Sequence, residues 1–313
     1  MTHVPHPQLA DIRALLQDRG LAPADPLSTP LAVARAAAQR YHAVWNEDLP
    51  PVDRVVDLVV PGRDAQVPVR LFLPGPARDL PVIVYFHGGG FVLNGVATHE
   101  RLLRLLALRS GAAVAAVGYR LAPEHRFPAQ LHDALAVTAW LHGHGHARGL
   151  DAGRIAFAGD SAGANLALSA MLALRDAGRP LPRAGLLAYG MFSTDLDSPS
   201  HRALGDGRFG LSTARVDWFW RQYLADPAQR DNPSAVPIAA DLAGLPPQLL
   251  VAAELDCLLS DSETMAACLT AAGVDAALSV VPGVPHSFLQ MTALLEPADR
   301  AVTAAAEFLR DRL

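Results

Sequence analysis

Three short stretches of this 313-residue chain bring together residue types that do chemistry as a unit. Gly159-Asp160-Ser161-Ala162-Gly163 is a G-x-S-x-G pentapeptide that follows the apolar run Ile155-Ala156-Phe157-Ala158 and opens a helical pattern. A tight strand-to-helix turn of this kind strains the serine backbone and lifts its hydroxyl above the end of a sheet, beside the N–H groups of a helix start. His87-Gly88-Gly89-Gly90 closes a second apolar run, Val82-Ile83-Val84-Tyr85-Phe86. Consecutive glycines leave the backbone free to aim N–H groups inward. Donors at Gly88, Gly89 and Ala162 would then hold the oxyanion that forms when a carbonyl carbon is attacked. A flexible turn or a phosphate cradle is the competing reading of the glycines, but both motifs sit on strand ends in the order that acyl transfer through Ser161 requires.

A serine hydroxyl needs a base. All 26 cationic side chains are arginine, which excludes a Ser-x-x-Lys hydrolase, a Walker A loop and a lysine Schiff base. Downstream of Ser161 the histidines are His201 and His286. His201 precedes any acid-bearing strand end. His286 lies in Pro282-Gly283-Val284-Pro285-His286-Ser287-Phe288, read as a turn after the last apolar strand, and is the expected base. His87 is expected to orient its own loop through side-chain hydrogen bonds. The acid should follow the preceding strand, Val251-Ala252-Ala253, where Asp256 suits the loop position and Glu254 and Asp261 compete. Asp261, at the next helix start, reads as an N-cap. Asp256 would fix the imidazole tautomer and stabilise the imidazolium without taking the proton.

From residue 80 onward, short apolar strands at 81–86, 112–118, 154–159, 184–189, 247–253 and 277–281 alternate with helical patterns near 99–109, 128–142, 161–177, 260–272 and 297–311. This alternation specifies a parallel sheet with helices on both faces. Segments 52–60 and 67–73 suit an antiparallel pair, and 8–19 and 30–46 suit amphipathic helices. Roughly sixty residues between Tyr189 and Gln248 exceed one crossover helix and read as an insertion. The chain thus divides into an N-terminal helical cap segment (1–50) and a catalytic domain (51–313) with a cap insertion at about 190–240. Phe209, Trp218 and Phe219 are the expected substrate-wall residues, with core packing as the competing use of the aromatic helix.

Composition bounds the rest. The chain is 51% hydrophobic and 18% charged with net charge −5 and no basic block, which argues against nucleic acid as the partner. No uninterrupted apolar run would span a bilayer, and Asp11, Arg13, Asp18 and Arg19 occupy the place of a secretory core, so a cytoplasmic address is expected. The two cysteines, Cys257 and Cys268, imply no disulfide framework. Leu141-His142-Gly143-His144-Gly145-His146 could mimic a metal site, but it reads as a surface loop without a nearby carboxylate or cysteine.

His87-Gly88-Gly89-Gly90, Tyr119-Arg120-Leu121-Ala122-Pro123-Glu124, the pentapeptide around Ser161, Asp256 and His286 together resemble the hormone-sensitive-lipase-like esterases, the bacterial family IV, acetyl-esterase group of the α/β-hydrolases, from about residue 50 to the end. The resemblance implies an α/β fold with an eight-stranded, mostly parallel sheet flanked by helices and covered by a helical cap. It also implies a serine carboxylesterase for short-chain acyl esters, with an acyl-enzyme intermediate, no cofactor and no metal. Its expected partner is a small ester, not a membrane, and a homodimer is an open option. Tyr119, Arg120 and Glu124 correspond to internal scaffold. The chain departs from the family at Ala164, usually glycine, and at Ser260, usually aspartate, with Asp261 next door suggesting a one-residue shift of a supporting carboxylate. An amidase or deacetylase would use the same machinery; a non-catalytic receptor of this fold would lack His286.

Overall fold

The computed structural model describes residues 4–22, 24–76 and 78–313. Its strands are β1 (Arg54–Pro61), β2 (Gln66–Leu73), β3 (Leu80–Phe86), β4 (Ala113–Val117), β5 (Leu150–Asp160), β6 (Gly185–Ala188), β7 (Gln248–Leu255) and β8 (Ala276–Pro285). They form one sheet of 8 strands in the order β1-β2-β4-β3-β5-β6-β7-β8. β2 runs antiparallel to both β1 and β4, and all other neighbours are parallel. The helices are α1 (Gln8–Asp18), α2 (Leu31–Ala43), α3 (Glu100–Ser110), α4 (Ala129–His144), α5 (Ala162–Asp176), α6 (Pro199–Leu204), α7 (Thr213–Tyr223), α8 (Leu259–Ala271) and α9 (Glu296–Arg310).

The central strands are buried on both faces, so they read as continuous apolar runs, and their alternate side chains enter two separate cores. Val82, Val84 and Phe86 of β3 pack with α4, α5 and α7 side chains such as Val137, Leu166 and Trp220. Ile83 and Tyr85 point the other way, among Leu103 of α3 and Val302 of α9. Parallel strands all end on one side, which gathers the loops after β3, β5, β7 and β8 at a single edge.

Two segments differ from the sequence expectation. The histidine run is not a loop: α4 continues through His142 and His144, because buried Leu141 anchors its last turn and the His144 ring stacks on Trp140, four residues back, at 5.5 Å. The stretch from Pro282 is strand before it is turn, since β8 continues to Pro285. β8 is an edge strand, where a proline costs no ladder bond, and Gly283 takes the left-handed φ of +67° there. Among the described residues, no helix is long and apolar enough to cross a membrane.

Candidate active site

Ser161 sits between β5 and α5 with φ 55° and ψ −121°, a conformation that costs a non-glycine residue about 1–3 kcal/mol. Its surroundings enforce that cost. The Ser161 N–H donates to the Ala188 carbonyl at 2.8 Å, and a Cβ on Gly163 would overlap the Phe86 carbonyl. A Cβ on Gly159 would strike the Gly163 carbonyl, so both flanking positions of the pentapeptide exclude a side chain.

Ser161 Oγ lies 3.0 Å from His286 Nε2, and His286 Nδ1 lies 2.6 Å from Asp256 Oδ2. The other Asp256 oxygen accepts the Leu258 N–H at 3.0 Å, which fixes the carboxylate plane. The Asp256 side chain is fully enclosed, and Tyr189 packs edge-on against the imidazole at 4.9 Å. Glu254, one of the competing acids, is used elsewhere: its Oε2 accepts the Gly283 N–H at 2.6 Å and ties β8 to β7. Asp261 is not the helix cap that its position suggests. It is buried, and its Oδ2 accepts the Phe192 and Ser193 N–H groups, each at 2.9 Å, bracing the loop after β6. Burial outweighs these donors and pushes its carboxyl up to about 8. His201 is in the insertion, with Nδ1 2.8 Å from Thr213 Oγ1.

The glycine loop also differs in detail from expectation. The Gly88 N–H is not available to an oxyanion, because it donates to Asp160 Oδ1 at 2.8 Å. Asp160, the second residue of the pentapeptide, also accepts Tyr85 Oη–H at 2.8 Å and has His99 Nε2 at 3.1 Å, with its side chain only 1% exposed. Burial pushes the Asp160 carboxyl up, but the neighbouring His99, the Tyr85 bond and His87 together hold it down at about 2. The His87 ring nitrogen Nδ1 lies 2.8 Å from the Gly88 carbonyl, while Tyr119 stacks on the ring at 4.3 Å and donates to the His87 carbonyl at 2.6 Å. Among the described residues, the N–H groups of Gly89, Gly90 and Ala162 have no protein acceptor. Gly90 could not have been separated from Gly88 by composition. The bond that excludes Gly88 comes from a residue 72 positions away.

Ser161, His286, Gly89 and Gly90 line a cavity of about 190 Å³ whose walls come from α2 and the insertion as well as the sheet edge. Phe209 and Phe219 stand on that wall. Trp218 does not: adjacent helical positions point about 100° apart, and the cavity face of α7 carries Arg215, Val216 and Phe219. Trp218 instead packs edge-on against Phe219 at 5.4 Å. Trp220 and Tyr223 turn inward and fasten α7 to the core, with Tyr223 stacked on Phe91 at 3.7 Å. Arg35 of α2 ties the N-terminal segment down, reaching Glu124, the Ala122 carbonyl and the Val92 carbonyl at 2.8–2.9 Å. Arg120 binds the buried Asp133, so the Tyr119–Glu124 tract is scaffold in its contacts. Among the described residues, no three histidine, cysteine or acidic side chains converge on a point where a metal could sit.

Residues 83–290 match the family model described as alpha/beta hydrolase fold. The chain is 37% identical over 270 residues to an ethyl acetate hydrolase of Pseudomonas putida, covering 83% of this chain and 84% of the relative. Among solved structures, a hyperthermophilic esterase from the archaeon Pyrobaculum calidifontis superposes with a TM-score of 0.93 at 34% identity over 98% of each chain. A thermostable esterase from Pseudomonas putida gives 0.92 at 32% identity, over 100% of this chain and 98% of its own. The chain therefore belongs to the α/β-hydrolase family, as a carboxylic ester hydrolase of the hormone-sensitive-lipase-like group.

Proposed function

We propose that this enzyme hydrolyses short-chain acyl esters, with Ser161 as nucleophile, His286 as general base and then acid, and Asp256 as the group that orients the imidazole. The observation that carries the reading is the unbroken relay of 3.0 and 2.6 Å from Ser161 through His286 to Asp256, beside unpartnered N–H groups. The Ser161 Oγ–H bond breaks as Oγ bonds the ester carbonyl carbon, and its proton passes to His286 Nε2. The N–H groups of Gly89, Gly90 and Ala162 hold the resulting oxyanion. Collapse expels the alcohol, which takes the proton from His286. Water then attacks the acyl-enzyme as its proton passes to the same nitrogen, and collapse releases the acid while His286 returns that proton to Ser161 Oγ.

The N-terminal helices and the 190–240 insertion act in this reading as a cap that closes the acyl pocket. At about 190 Å³ the cavity is small beside the 300–1,000 Å³ usual for drug-sized ligands, and the Pseudomonas putida relative is named for a two-carbon acyl group. An added methylene contributes about 0.8 kcal/mol, roughly fourfold in kcat/KM, only while apolar wall remains to cover it. The test is kcat/KM over p-nitrophenyl esters from acetate to palmitate, with the matching anilides alongside. A maximum between acetyl and hexanoyl is expected, and a maximum at the long end, or faster anilide than ester cleavage, refutes the substrate reading. Ser161→Ala should abolish both turnover and labelling by an organophosphonate.

A further inference from the structure

The cavity that holds Ser161 is walled mainly by apolar groups, among them Leu93, Met191, Leu211 and Phe219, yet it also contains a guanidinium. Arg215, on the cavity face of α7, has a buried Nε without a hydrogen-bond partner among the described residues. Its one side-chain bond is from Nη1 to the Gly210 carbonyl at 3.2 Å. No carboxylate of the described residues lies within ion-pair distance, and none lines the cavity. The contrast with Arg120 is instructive, because that guanidinium, 14% exposed, is answered by a fully buried carboxylate, Asp133. Asp25 is the acid that acts on Arg215 from a distance; it is exposed and its Oδ1 accepts the Leu27 N–H. The remaining ionisable groups on the wall are Tyr41, His42 and His286, and burial pushes His42 down to about 3, so it stays uncharged.

A half-buried cation without a counter-ion loses part of its hydration and gains from any anion that pairs with it. A guanidinium presents a planar fork of donors that matches a carboxylate. In a mostly apolar pocket, a single charged group sets which substrate binds and how it lies. We propose that Arg215 is a specificity-determining residue that receives a carboxylate carried by the substrate, so that the enzyme favours short esters bearing an acidic group, such as hemiesters of small dicarboxylic acids or acylated hydroxy acids. This inference rests on the esterase reading and adds the substrate's charge to it. Tyr41, on the opposite cap element α2, shares the wall and gives the carboxylate a hydroxyl donor.

The test uses two pairs of esters of matched shape. Monoethyl succinate and ethyl 4-oxopentanoate place the carboxylate, or a neutral ketone, on the acyl side. Acetoxyacetate and acetoxyacetone place it on the alcohol side. In a pH-stat at pH 7.5, the native enzyme should prefer the anionic member of at least one pair by about tenfold or more. Arg215→Met should cut that preference at least tenfold, and Arg215→Lys should restore part of it, which a role confined to shaping the cap would not produce. Titration calorimetry on Ser161→Ala with the same four compounds reads the preference without turnover. Failure to hydrolyse p-nitrophenyl acetate would refute the catalytic reading, whereas hydrolysis of none of the four by an enzyme active on that ester, or a preference for the neutral member of both pairs in binding as in turnover, would overturn this one. An anionic preference that Arg215→Met leaves intact would overturn it too.

Discussion

Three carboxylates lie within eight residues of one another, at Glu254, Asp256 and Asp261, and replacing each by its amide separates their roles. In Asp256→Asn the side-chain oxygen can keep the Leu258 N–H, since that bond uses Oδ1 at 3.0 Å. The amide nitrogen is then forced to face His286 Nδ1, where Oδ2 now stands at 2.6 Å. A donor there holds the imidazole in the tautomer with its proton on Nε2, the atom that must accept the Ser161 proton 3.0 Å away. The expected loss in kcat is about 10⁴-fold, on the order of 5 kcal/mol, as measured for the equivalent change in a serine protease. Asp261→Asn keeps an oxygen for the Phe192 and Ser193 N–H groups, and Glu254→Gln keeps one for Gly283, so each should cost less than tenfold. The assay is kcat and KM on p-nitrophenyl acetate, with thermal melting to establish that all three variants fold. Equal losses in Asp256→Asn and Asp261→Asn, or a loss below tenfold in the former, would show that Asp256 does not serve His286.

Asp160→Ala strands Tyr85, His99 and the Gly88 N–H in the core, so urea unfolding should show a loss of about 3–5 kcal/mol. Release of the glycine loop should also lower kcat by about 10²-fold on every ester alike, and unchanged kcat would refute the pinning role. Asp261 keeps its proton in the folded state to about pH 8 and loses it in the unfolded chain near the ordinary aspartate value. The unfolded state therefore binds fewer protons across that window, and stability falls as pH rises from about 4 to 8 before levelling. Asp261→Asn lacks this slope, so its Tm relative to the parent should climb from pH 5 to pH 9; a constant difference would refute the assignment. Gly90→Ala puts a methyl into the Phe219 ring at a φ of +62°, and kcat/KM should fall at least tenfold with KM less affected than kcat.

The sheet and its two helical layers were legible because their signal is local. Strands buried on both faces must be short apolar runs, and crossover helices must lie between them, so β3 to β8 declare themselves one by one. Ser161 and His286 stand out as candidates for a related reason: the fold's chain order leaves one serine in an elbow and one histidine after the last apolar run, and the structure sets the two side chains 3.0 Å apart. What stayed illegible depends on partners distant in sequence. Asp261 resembles a cap until the loop at Phe192 and Ser193 folds over it. Trp218 looks like wall until the rotation of α7 is set by Trp220 and Tyr223 entering the core. Arg215 looks like any surface arginine of an amphipathic helix until α2 and the insertion close around it.

Asp160 shows why the elbow and the glycine loop work as one device. The pentapeptide pattern leaves its second position open, and a solvated aspartate there would contribute nothing to catalysis. Here that carboxylate is buried at the end of β5, one residue before Ser161, and it grips the first glycine N–H of the loop that ends β3. Because β3 and β5 are adjacent parallel strands, with Phe86 opposite Gly159, the bond spans neighbouring strand ends and needs no long reach. Its consequence is geometric. With Gly88 committed to Asp160, the backbone turns at Gly89 and Gly90, φ +121° and +62°, and among the described residues the N–H groups of these two glycines have no protein acceptor. Oxyanion donors are effective only if they are already aimed before charge develops. The residue that would aim them is thus covalently next to Ser161, the proposed nucleophile, and its bond to Gly88 ties the two motifs together.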